Sequence, residues 1–419
     1  MEDEPVLDEI TIKKNGPYEL DTSNVLGKGS FGIVYKGKRK INGEEQEVAF
    51  KKIPQEIIND KSKLESLSNE IFISTLINEE DNKNEEDNKK DKKDKEDNRI
   101  EENKGKEDKN KNEKKDSIQK LNENIVIFLD IVEIEYDKYL VYEFCNGGDL
   151  KRYLKYFKKF DESMIQYIMK QVITGLNRLH NKKIIHHDIK PENILVELCP
   201  NEENKSNFEE IISQVMKITD PKNRNANKEN NPLSDEDIIK ILKNSKMKLS
   251  DFGLSKFKEQ YNKKEISGSP LYIDPNSFIS ESDSEVIDNE KVDIWALGIL
   301  AYELHFSDLP FQPFPPSLDR LIKSLEKGEY IIDMKKNEKV SKPFLSFINM
   351  CLQRPQKIRP LCDELLDSEF ICRETDYFKY LTIDNYKDEK YLEPNHLKTD
   401  GKITMNIDDN RMINANFDR

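Results

Sequence analysis

The sequence lacks long hydrophobic runs and paired cysteines. No stretch reaches the roughly 18 consecutive apolar residues that a transmembrane helix needs. The acidic first ten residues, MEDEPVLDEI, contain no apolar segment typical of a signal peptide. The 5 cysteines include no CxxC pair, which favours reduced thiols over the disulfide framework of a secreted protein. We therefore predict a cytoplasmic protein without a transmembrane segment.

The chain also lacks positive net charge and has little apolar content. Its formal charge of -14 at pH 7 argues against nucleic acid or an anionic membrane as the main partner. Hydrophobic residues make up 35% and charged residues 36%, so we expect part of the chain not to pack. Nearly every residue of the stretch 79–118 is charged or Asn. We predict that this stretch is a disordered charged insert.

A second polar stretch, residues 197–246, differs because it contains two short helical patterns. The first pattern consists of apolar residues at helical spacing, namely Phe208, Ile211, Ile212, Val215 and Met216. In the second, Ser234 and Asp237 suit a capping box ahead of Ile238, Ile239 and Leu242. Two interpretations stay open. Either these helices pack on the domain that contains them, or they dock onto a partner protein.

Outside the inserts, strand patterns precede helical ones. Short β-branched runs separated by turn residues predict strands in YELDTSNVLG, FGIVYKGKRK and EEQEVAFKKI. Further along, an apolar stripe with helical spacing comprises Ile165, Ile168, Met169, Val172, Ile173, Leu176 and Leu179. A small sheet followed by a larger helical body predicts the α+β class.

The stretch LGKGSFGIVYKG holds glycines that could approach a phosphate group. Gly27, Gly29 and Gly32 form a G-x-G-x-x-G pattern, which alone is a weak signal. The third glycine is followed by a strand pattern, so we predict a hairpin and not the helix that a dinucleotide-binding fold requires. Lys51 ends the later strand VAFK, where a cation could reach phosphate oxygens. A neighbouring acid should hold this lysine; Glu70 is preferred, and Glu65 is the alternative.

The stretch HHDIKPEN, residues 186–193, concentrates polar side chains suited to catalysis. Adjacent histidines diverge and no further His or Cys cluster accompanies them, which argues against a metal site. No G-x-S-x-G elbow occurs, which argues against a serine nucleophile. Phosphoryl transfer fits, because it needs a carboxylate for the attacking hydroxyl, a cation for the phosphate, and an amide and a carboxylate for magnesium. Asp188, Lys190 and Asn193 supply the first three groups, and Asp251 of KLSDFGLS supplies the fourth.

Taken in order, these four motifs resemble those of eukaryotic protein kinases of the serine/threonine type. The resemblance implies the bilobal protein kinase fold, with ATP in the interlobe cleft and Mg2+ as the metal. It implies a kinase domain at 18–373 between an extension (1–17) and a polar tail (374–419), with an N-lobe at 18–145 and a C-lobe at 146–373. The stretches FCNGGDL, GSPLY, LPFQ and CLQRPQKIRP further resemble the autophagy-initiating serine/threonine kinases.

The resemblance also implies roles for individual residues. Lys51, Glu70, Asp188 and Lys190 would be catalytic, and Asn193 and Asp251 would bind the metal. The implied ATP-binding residues are Leu26, Gly27, Lys28, Gly29, Ser30, Gly32, Val34, Ala49, Lys51, Glu143, Cys145, Asp149 and Asn193. Glu143 to Cys145 would form the hinge that binds adenine, and Tyr142 would guard the back of that pocket. The substrates would be serine or threonine residues of proteins.

Two positions depart from the pattern of the family. His187 stands where kinases usually have the arginine that pairs with a phosphate on the activation segment. We therefore expect activity to depend little on phosphorylation of Ser255, Ser267 or Ser269. Asn276 stands where a glutamate usually pairs with a buried arginine, here expected to be Arg359, so the activation segment is expected to be less firmly held. These departures keep open an alternative function, a pseudokinase scaffold with little catalysis.

Overall fold

The structure is a computed structural model that places most of the predicted kinase motifs. It describes residues 12–29, 32–78, 123–223, 231–260, 268–277, 290–310, 329–332, 339–353, 355–374, 380–382 and 403–406. The predicted charged insert 79–118, Ser30 and Ser267 lie outside the described residues. The chain divides into two compact units, Met1–Phe144 and Cys145–Arg419, and each is considered by itself.

The first unit is built on an antiparallel sheet of six strands. The strands are β1 (Ile12–Asn15), β2 (Tyr18–Gly29), β3 (Gly32–Ile41), β4 (Glu44–Lys52), β5 (Phe128–Ile134) and β6 (Asp137–Glu143). Their order in the sheet is β1-β2-β3-β4-β6-β5. Two helices, α1 (Gln55–Asn59) and α2 (Lys61–Asn78), follow β4. A small β-rich unit was predicted here, and the first strand begins within the predicted extension.

Alternation along the strands separates the two faces of this sheet. Val48 and Phe50 of β4 are buried, whereas Ala49 and Lys51 between and after them are only partly buried, as a two-residue period requires. One face forms a hydrophobic cluster that includes Leu20, Val48 and Phe50. Phe50 contacts the rings of Tyr18 and Tyr139 edge-on, with centroids 6.1 and 6.0 Å apart. The opposite face therefore carries Lys51.

The second unit is mainly helical. Its helices are α3 (Leu150–Phe157), α4 (Glu162–Asn181), α5 (Phe208–Ile218), α6 (Asp235–Leu242), α7 (Lys291–Phe306), α8 (Lys342–Cys351), α9 (Cys362–Leu366) and α10 (Glu369–Cys372). Asp161 begins α4 by accepting a hydrogen bond from the Met164 amide at 2.7 Å. The predicted apolar stripe of α4 is buried in full, and every residue of α7 is buried. These two helices form the centre of the unit.

Short strand pairs complete the second unit. They are β7 (Ile184–Ile185) with β10 (Lys256–Phe257), and β8 (Ile194–Glu197) with β9 (Lys246–Leu249). Two further pairs each join a strand before residue 374 to a strand after it. β11 (Glu329–Ile332) pairs with β14 (Ile403–Asn406), and β12 (Lys339–Ser341) pairs with β13 (Tyr380–Thr382). Two strands of the predicted polar tail are therefore paired with residues that precede it in the chain.

The predicted second insert forms two helices, α5 and α6, that pack within the second unit. The capping box predicted at Ser234 and Asp237 is present at the start of α6. Val215 of α5 and Leu242 of α6 are fully buried. The backbone carbonyl of Met216 accepts a hydrogen bond from Arg152 of α3 at 3.0 Å. Of the two interpretations, this geometry favours helices that pack on their own domain.

None of the described helices combines the length and the hydropathy that crossing a membrane demands.

Candidate functional site

In the first unit, one carboxylate oxygen holds both a lysine and a tyrosine. Nζ of Lys51 lies 2.6 Å from Oε1 of Glu70, and the Tyr142 hydroxyl donates to the same oxygen at 3.0 Å. Glu70 is buried, whereas Glu65, the alternative partner, is exposed. The ion pair is sheltered from water, so the ammonium group is fixed in direction. Glu70, near the middle of α2, thus positions the ammonium group of Lys51 near the end of β4.

The sheet face around Lys51 is apolar and open. Val34 lies directly opposite Lys51 on β3, and Tyr142 lies opposite Ala49 on β6, so these four side chains share one face. Leu26 on β2 is 42% exposed. A partly exposed apolar surface beside a fixed ammonium group suits the base and phosphates of a nucleotide.

The glycines of the β2–β3 hairpin play two different structural roles. Gly29 lies opposite Gly32 in the β2–β3 register, and Gly27 lies opposite Val34. Gly32 has a φ of 125°, and a Cβ there would come within 2.4 Å of the Lys52 carbonyl oxygen. Gly32 is therefore required by close packing of the backbone. A Cβ at Gly27 would meet nothing within 4 Å, which leaves room for a phosphate group beside the exposed Lys28.

Three of the predicted ATP-binding residues lie close in the sequence to the boundary between the two units. Glu143 is the last residue of β6, and its amide and carboxylate both bond to the backbone of Ile127. Cys145 is buried. Asp149 caps α3, with Oδ1 accepting from the Arg152 amide at 2.8 Å. Burial raises the pKa of Asp149 above its ordinary value. The structure thus gives Asp149 a role as a helix cap; its role in ATP binding remains a prediction.

In the second unit, Asp188 is surrounded by hydrogen-bond donors. Its Oδ2 accepts from Nζ of Lys190 at 2.6 Å and from Nδ2 of Asn193 at 2.7 Å. Its Oδ1 accepts from the amide and the hydroxyl of Ser269 at 3.1 and 2.7 Å. Burial opposes ionisation, but the bonds from Lys190 and Ser269 outweigh it and lower the pKa of Asp188. The carboxylate is ionised and held in one orientation.

Asn193 and Asp251, the two predicted magnesium ligands, each have a distinctive local geometry. The Asn193 amide nitrogen donates to both the carbonyl and the carboxylate of Asp188. The oxygen of the same amide group is an acceptor, the kind of atom that a cation binds. Asp251 has a φ of 64°, a left-handed conformation that costs energy in a residue other than glycine and is typical of functional sites. Mg2+ in such sites takes one or two protein oxygens plus phosphate oxygens.

Asp293 near the start of α7 fixes the backbone of the loop 186–193, the predicted catalytic loop. Its two carboxylate oxygens accept from the amides of His186 and His187, each at 2.8 Å, and from Nε2 of His180 at 2.9 Å. His187 has a φ of 67°, which is unfavourable for a non-glycine residue. The buried carboxylate therefore stabilises a strained turn directly before Asp188.

The ring of His186 links the catalytic loop to the residue before Asp251. The Asp188 amide donates to Nδ1 of His186 at 3.2 Å, and Nε2 lies 3.1 Å from the Ser250 carbonyl oxygen. These partners assign a neutral ring protonated at Nε2. Burial lowers the pKa of His186, although the carboxylates of Asp293, Asp188 and Asp251 act in the opposite direction. The backbone of Asp188 and the residue before Asp251 are therefore both bonded to the imidazole ring of His186.

His187 is neutral, and two of the three candidate phosphorylation sites are engaged. Burial lowers the pKa of His187 from 6.5 to about 4. The hydroxyl of Ser255 is buried and donates to the His186 carbonyl oxygen at 3.1 Å. Ser269 is bonded to Asp188 and Lys190. A neutral, largely buried imidazole makes a weak anchor for a phosphate dianion.

The expectation that Arg359 would lack a carboxylate partner is wrong, because Asp274 pairs with it. The buried guanidinium of Arg359 donates to both carboxylate oxygens of Asp274, at 2.5 and 2.9 Å. Asn276 itself is a donor, with its side-chain nitrogen 2.9 Å from Asp274. The expected loss of an ion pair therefore does not occur. The acid was visible in the sequence IDPN, but only the folded chain shows which side chain reaches Arg359.

Comparisons with known proteins identify the family of the chain. Residues 85–371, well over half of the chain, match the protein kinase domain family. The chain therefore belongs to the protein kinase domain family, and its α+β class and kinase fold are confirmed.

Among curated relatives, the chain is similar to serine/threonine-protein kinases. It is 27% identical over 358 residues to the human serine/threonine-protein kinase ULK1, covering 85% of this chain and 25% of ULK1. It is 26% identical over 304 residues to serine/threonine-protein kinase unc-51 of Caenorhabditis elegans, covering 72% of this chain and 26% of that protein. Calcium-dependent protein kinase 5 of Plasmodium falciparum is 25% identical over 366 residues, covering 86% of this chain and 47% of that protein. The resemblance to serine/threonine kinases of the autophagy-initiating group is confirmed, and the chain spans half or less of these relatives' length.

Proposed function

We propose that this chain is an active serine/threonine protein kinase that transfers the γ-phosphoryl group of ATP, with Mg2+, to protein substrates. The observation that carries the proposal is the set of four hydrogen bonds on Asp188 from Lys190, Asn193 and Ser269. A carboxylate ionised and fixed in this way is suited to orient an acceptor hydroxyl. A scaffold without catalysis has no physical need for this arrangement.

Each predicted catalytic residue has a chemical task that its contacts support. Asp188 accepts a hydrogen bond from the acceptor hydroxyl and directs its oxygen for attack. Lys190 and Lys51 provide positive charge for phosphate oxygens, and Glu70 keeps Lys51 in place. Asn193 and Asp251 offer the oxygens that would hold Mg2+. When bound, ATP supplies the transferred group and Mg2+ neutralises charge on its phosphates.

The test is phosphate transfer from labelled ATP to a generic basic protein, using the full chain with Mg2+. Asp188→Asn should lower the rate by about 100-fold or more, because it removes the carboxylate that orients the hydroxyl. Phosphoamino acid analysis should find phosphoserine or phosphothreonine. Lys51→Met should also lower the rate strongly, whereas Lys52→Met should not. Lys52 is the matched control, because it is the next residue of β4 and pairs with Asp137 in place of Glu70.

Activity of the unaltered chain no higher than that of Asp188→Asn would favour the pseudokinase alternative. Binding of ATP measured by calorimetry with and without Mg2+ separates the two functions further. A scaffold that binds nucleotide would keep affinity without transfer, and Asp251→Asn should weaken only the magnesium-dependent part.

The remaining assignments belong to the same proposal. We place the kinase domain at 18–373 and the protein in the cytoplasm, and its partners are protein substrates, not nucleic acid. Phe208 and Ile212 on α5 are partly exposed, so docking of a partner on the insert 197–246 stays a prediction. Loss of substrate binding on Phe208→Ala, with unchanged activity on a short peptide, would support it.

A further inference from the structure

The segment 268–277 is fastened at one end to the catalytic loop. Gly268 has a φ of 113°, and a Cβ there would lie 2.6 Å from the His187 carbonyl oxygen. The next residue, Ser269, places its amide and hydroxyl on Asp188. The Tyr272 amide then donates to the Ser269 carbonyl oxygen at 2.8 Å. The start of this segment is thus in direct contact with the carboxylate that orients the acceptor.

The other end of the segment is fastened by the Asp274–Arg359 pair. Besides Asp274, the guanidinium of Arg359 donates to the carbonyl oxygens of Gln353 at 2.5 Å and Lys291 at 2.8 Å. Its central carbon lies 5.0 Å from the centre of the Trp295 ring. A buried guanidinium with this many partners is stable only while its carboxylate is present.

Two amide side chains complete the environment of Asp274. Gln356 donates to Oδ2 at 2.7 Å, and Asn276 donates to Oδ1 through its side chain and its backbone, at 2.9 and 3.0 Å. Position 276 therefore serves the carboxylate as a donor. A second carboxylate at this position would face the first one, and like charges this close repel each other strongly.

We propose that Asp274 is the residue that positions the segment 268–277, so that Ser269 stays on Asp188 and a peptide acceptor can be oriented. The proposal rests on the proposed kinase function. It names Asp274, two residues before the expected position, as the anchor, and it assigns Asn276 a supporting role as donor. Asp274 acts through the segment and does not touch the substrate, so it is a positioning residue.

This arrangement predicts that two harmful substitutions will partly cancel. Asp274→Ala leaves the Arg359 guanidinium buried without its carboxylate. Asn276→Glu in the unaltered chain adds a carboxylate beside Asp274 and removes a donor. In the double variant, one carboxylate again serves one guanidinium, because the side chain at 276 already contacts the carboxylate of Asp274 and glutamate is one methylene group longer than asparagine. The double variant should therefore phosphorylate the peptide faster than either single variant.

The experiment measures peptide phosphorylation and hydrogen exchange of residues 268–277 in the full chain. Asp274→Ala and Asn276→Glu should each lower kcat/KM for the peptide by about tenfold or more, and exchange in the segment should speed up. The KM for ATP should change little. The double variant should regain at least half of the loss on a logarithmic scale and slow the exchange again. Glu369→Ala, which breaks the exposed pair with Arg373, is the matched control and should change neither measurement.

Two results would overturn the inference. One is a double variant that is no better than Asp274→Ala in activity and in exchange. The other is an Asp274→Ala variant with normal activity and normal exchange. Should Asp274→Ala fail to fold, Asp274→Asn replaces it, since it keeps the shape and removes the charge. Should the unaltered chain transfer no phosphate, the kinase proposal fails, and the exchange measurement still decides whether Asp274 anchors the segment.

Discussion

The hydroxyl of Tyr142 donates a hydrogen bond to Oε1 of Glu70, the same oxygen that binds Nζ of Lys51. Tyr142 was expected from the resemblance to guard the back of the adenine pocket. The structure adds a polar role, because the tyrosine helps to hold the buried carboxylate that orients the lysine. A side chain on β6 thereby supports an ion pair between β4 and α2.

Replacing Tyr142 with phenylalanine should weaken this network without disturbing its packing. The ring would keep its edge-on contact with Phe128, at 5.5 Å between centroids, while Glu70 would lose one donor. Losing a hydrogen bond to a charged group costs about 1.5 kcal/mol or more, so kcat/KM should fall by roughly tenfold. Steady-state kinetics with varied ATP would measure it. Tyr136→Phe is the control, because Tyr136 is 91% exposed, and equal effects of the two substitutions would contradict the role of the hydroxyl.

Removing phosphate from the activation segment should leave most of the activity. His187 carries no charge at pH 7, because burial lowers its pKa to about 4, so a phosphate gains little from this position. After phosphatase treatment, verified by mass spectrometry, the rate should stay within about twofold of the untreated rate. Nearly complete loss of activity, restored by renewed phosphorylation, would contradict the prediction.

His187 should also make folding sensitive to acid. The unfolded chain binds more protons than the folded chain between the unfolded pKa of 6.5 and the folded pKa of about 4. The contribution of His187 to the free energy of unfolding is therefore complete above pH 6.5. It is lost as the pH falls to about 4, and the loss amounts to up to about 3 kcal/mol. His187→Asn removes the titration, and asparagine tolerates the positive φ.

The measurement is the difference in unfolding free energy between the unaltered chain and His187→Asn as a function of pH. Taking the difference removes the contributions of His186, which act in the same direction, and of Glu162, which act in the opposite direction because burial raises its pKa. The unfolding free energy of the unaltered chain, relative to that of His187→Asn, should fall steadily from pH 6.5 to pH 4. A constant gap would contradict the prediction.

The helix α6 of the second insert should contribute to the stability of the second unit. Leu242 is fully buried, and truncating such a leucine costs about 2–5 kcal/mol through lost contacts and the cavity left behind. Leu242→Ala should therefore lower the melting temperature by several degrees in a thermal shift assay. Lys240→Ala, on the exposed side of the same helix, should have almost no effect. Equal shifts would mean that the helix does not pack as described.

Much of this protein was determined by local sequence. The strand pattern of β3 and β4, the apolar stripe of α4 and the capping box at Ser234 all follow from side chains a few residues apart, whose periodicity decides which face is buried. The predicted catalytic residues Lys51 and Asp188 and the predicted metal ligand Asn193 could be proposed from motif order, because phosphoryl transfer restricts which residue types can serve.

Contacts between residues far apart in the chain were decided only by the tertiary structure. Spacing favoured Glu70 over Glu65 but could not show that Tyr142 shares the same oxygen. The motif put Asn276 where the carboxylate partner of Arg359 usually stands and so predicted a missing ion pair, yet the fold brings Asp274 to Arg359. It also sets Ser269 on Asp188, 81 positions earlier. The reason is physical: a hydrogen bond depends on distances of a few tenths of an ångström, and these are set by the packing of whole helices and strands, which no local pattern contains.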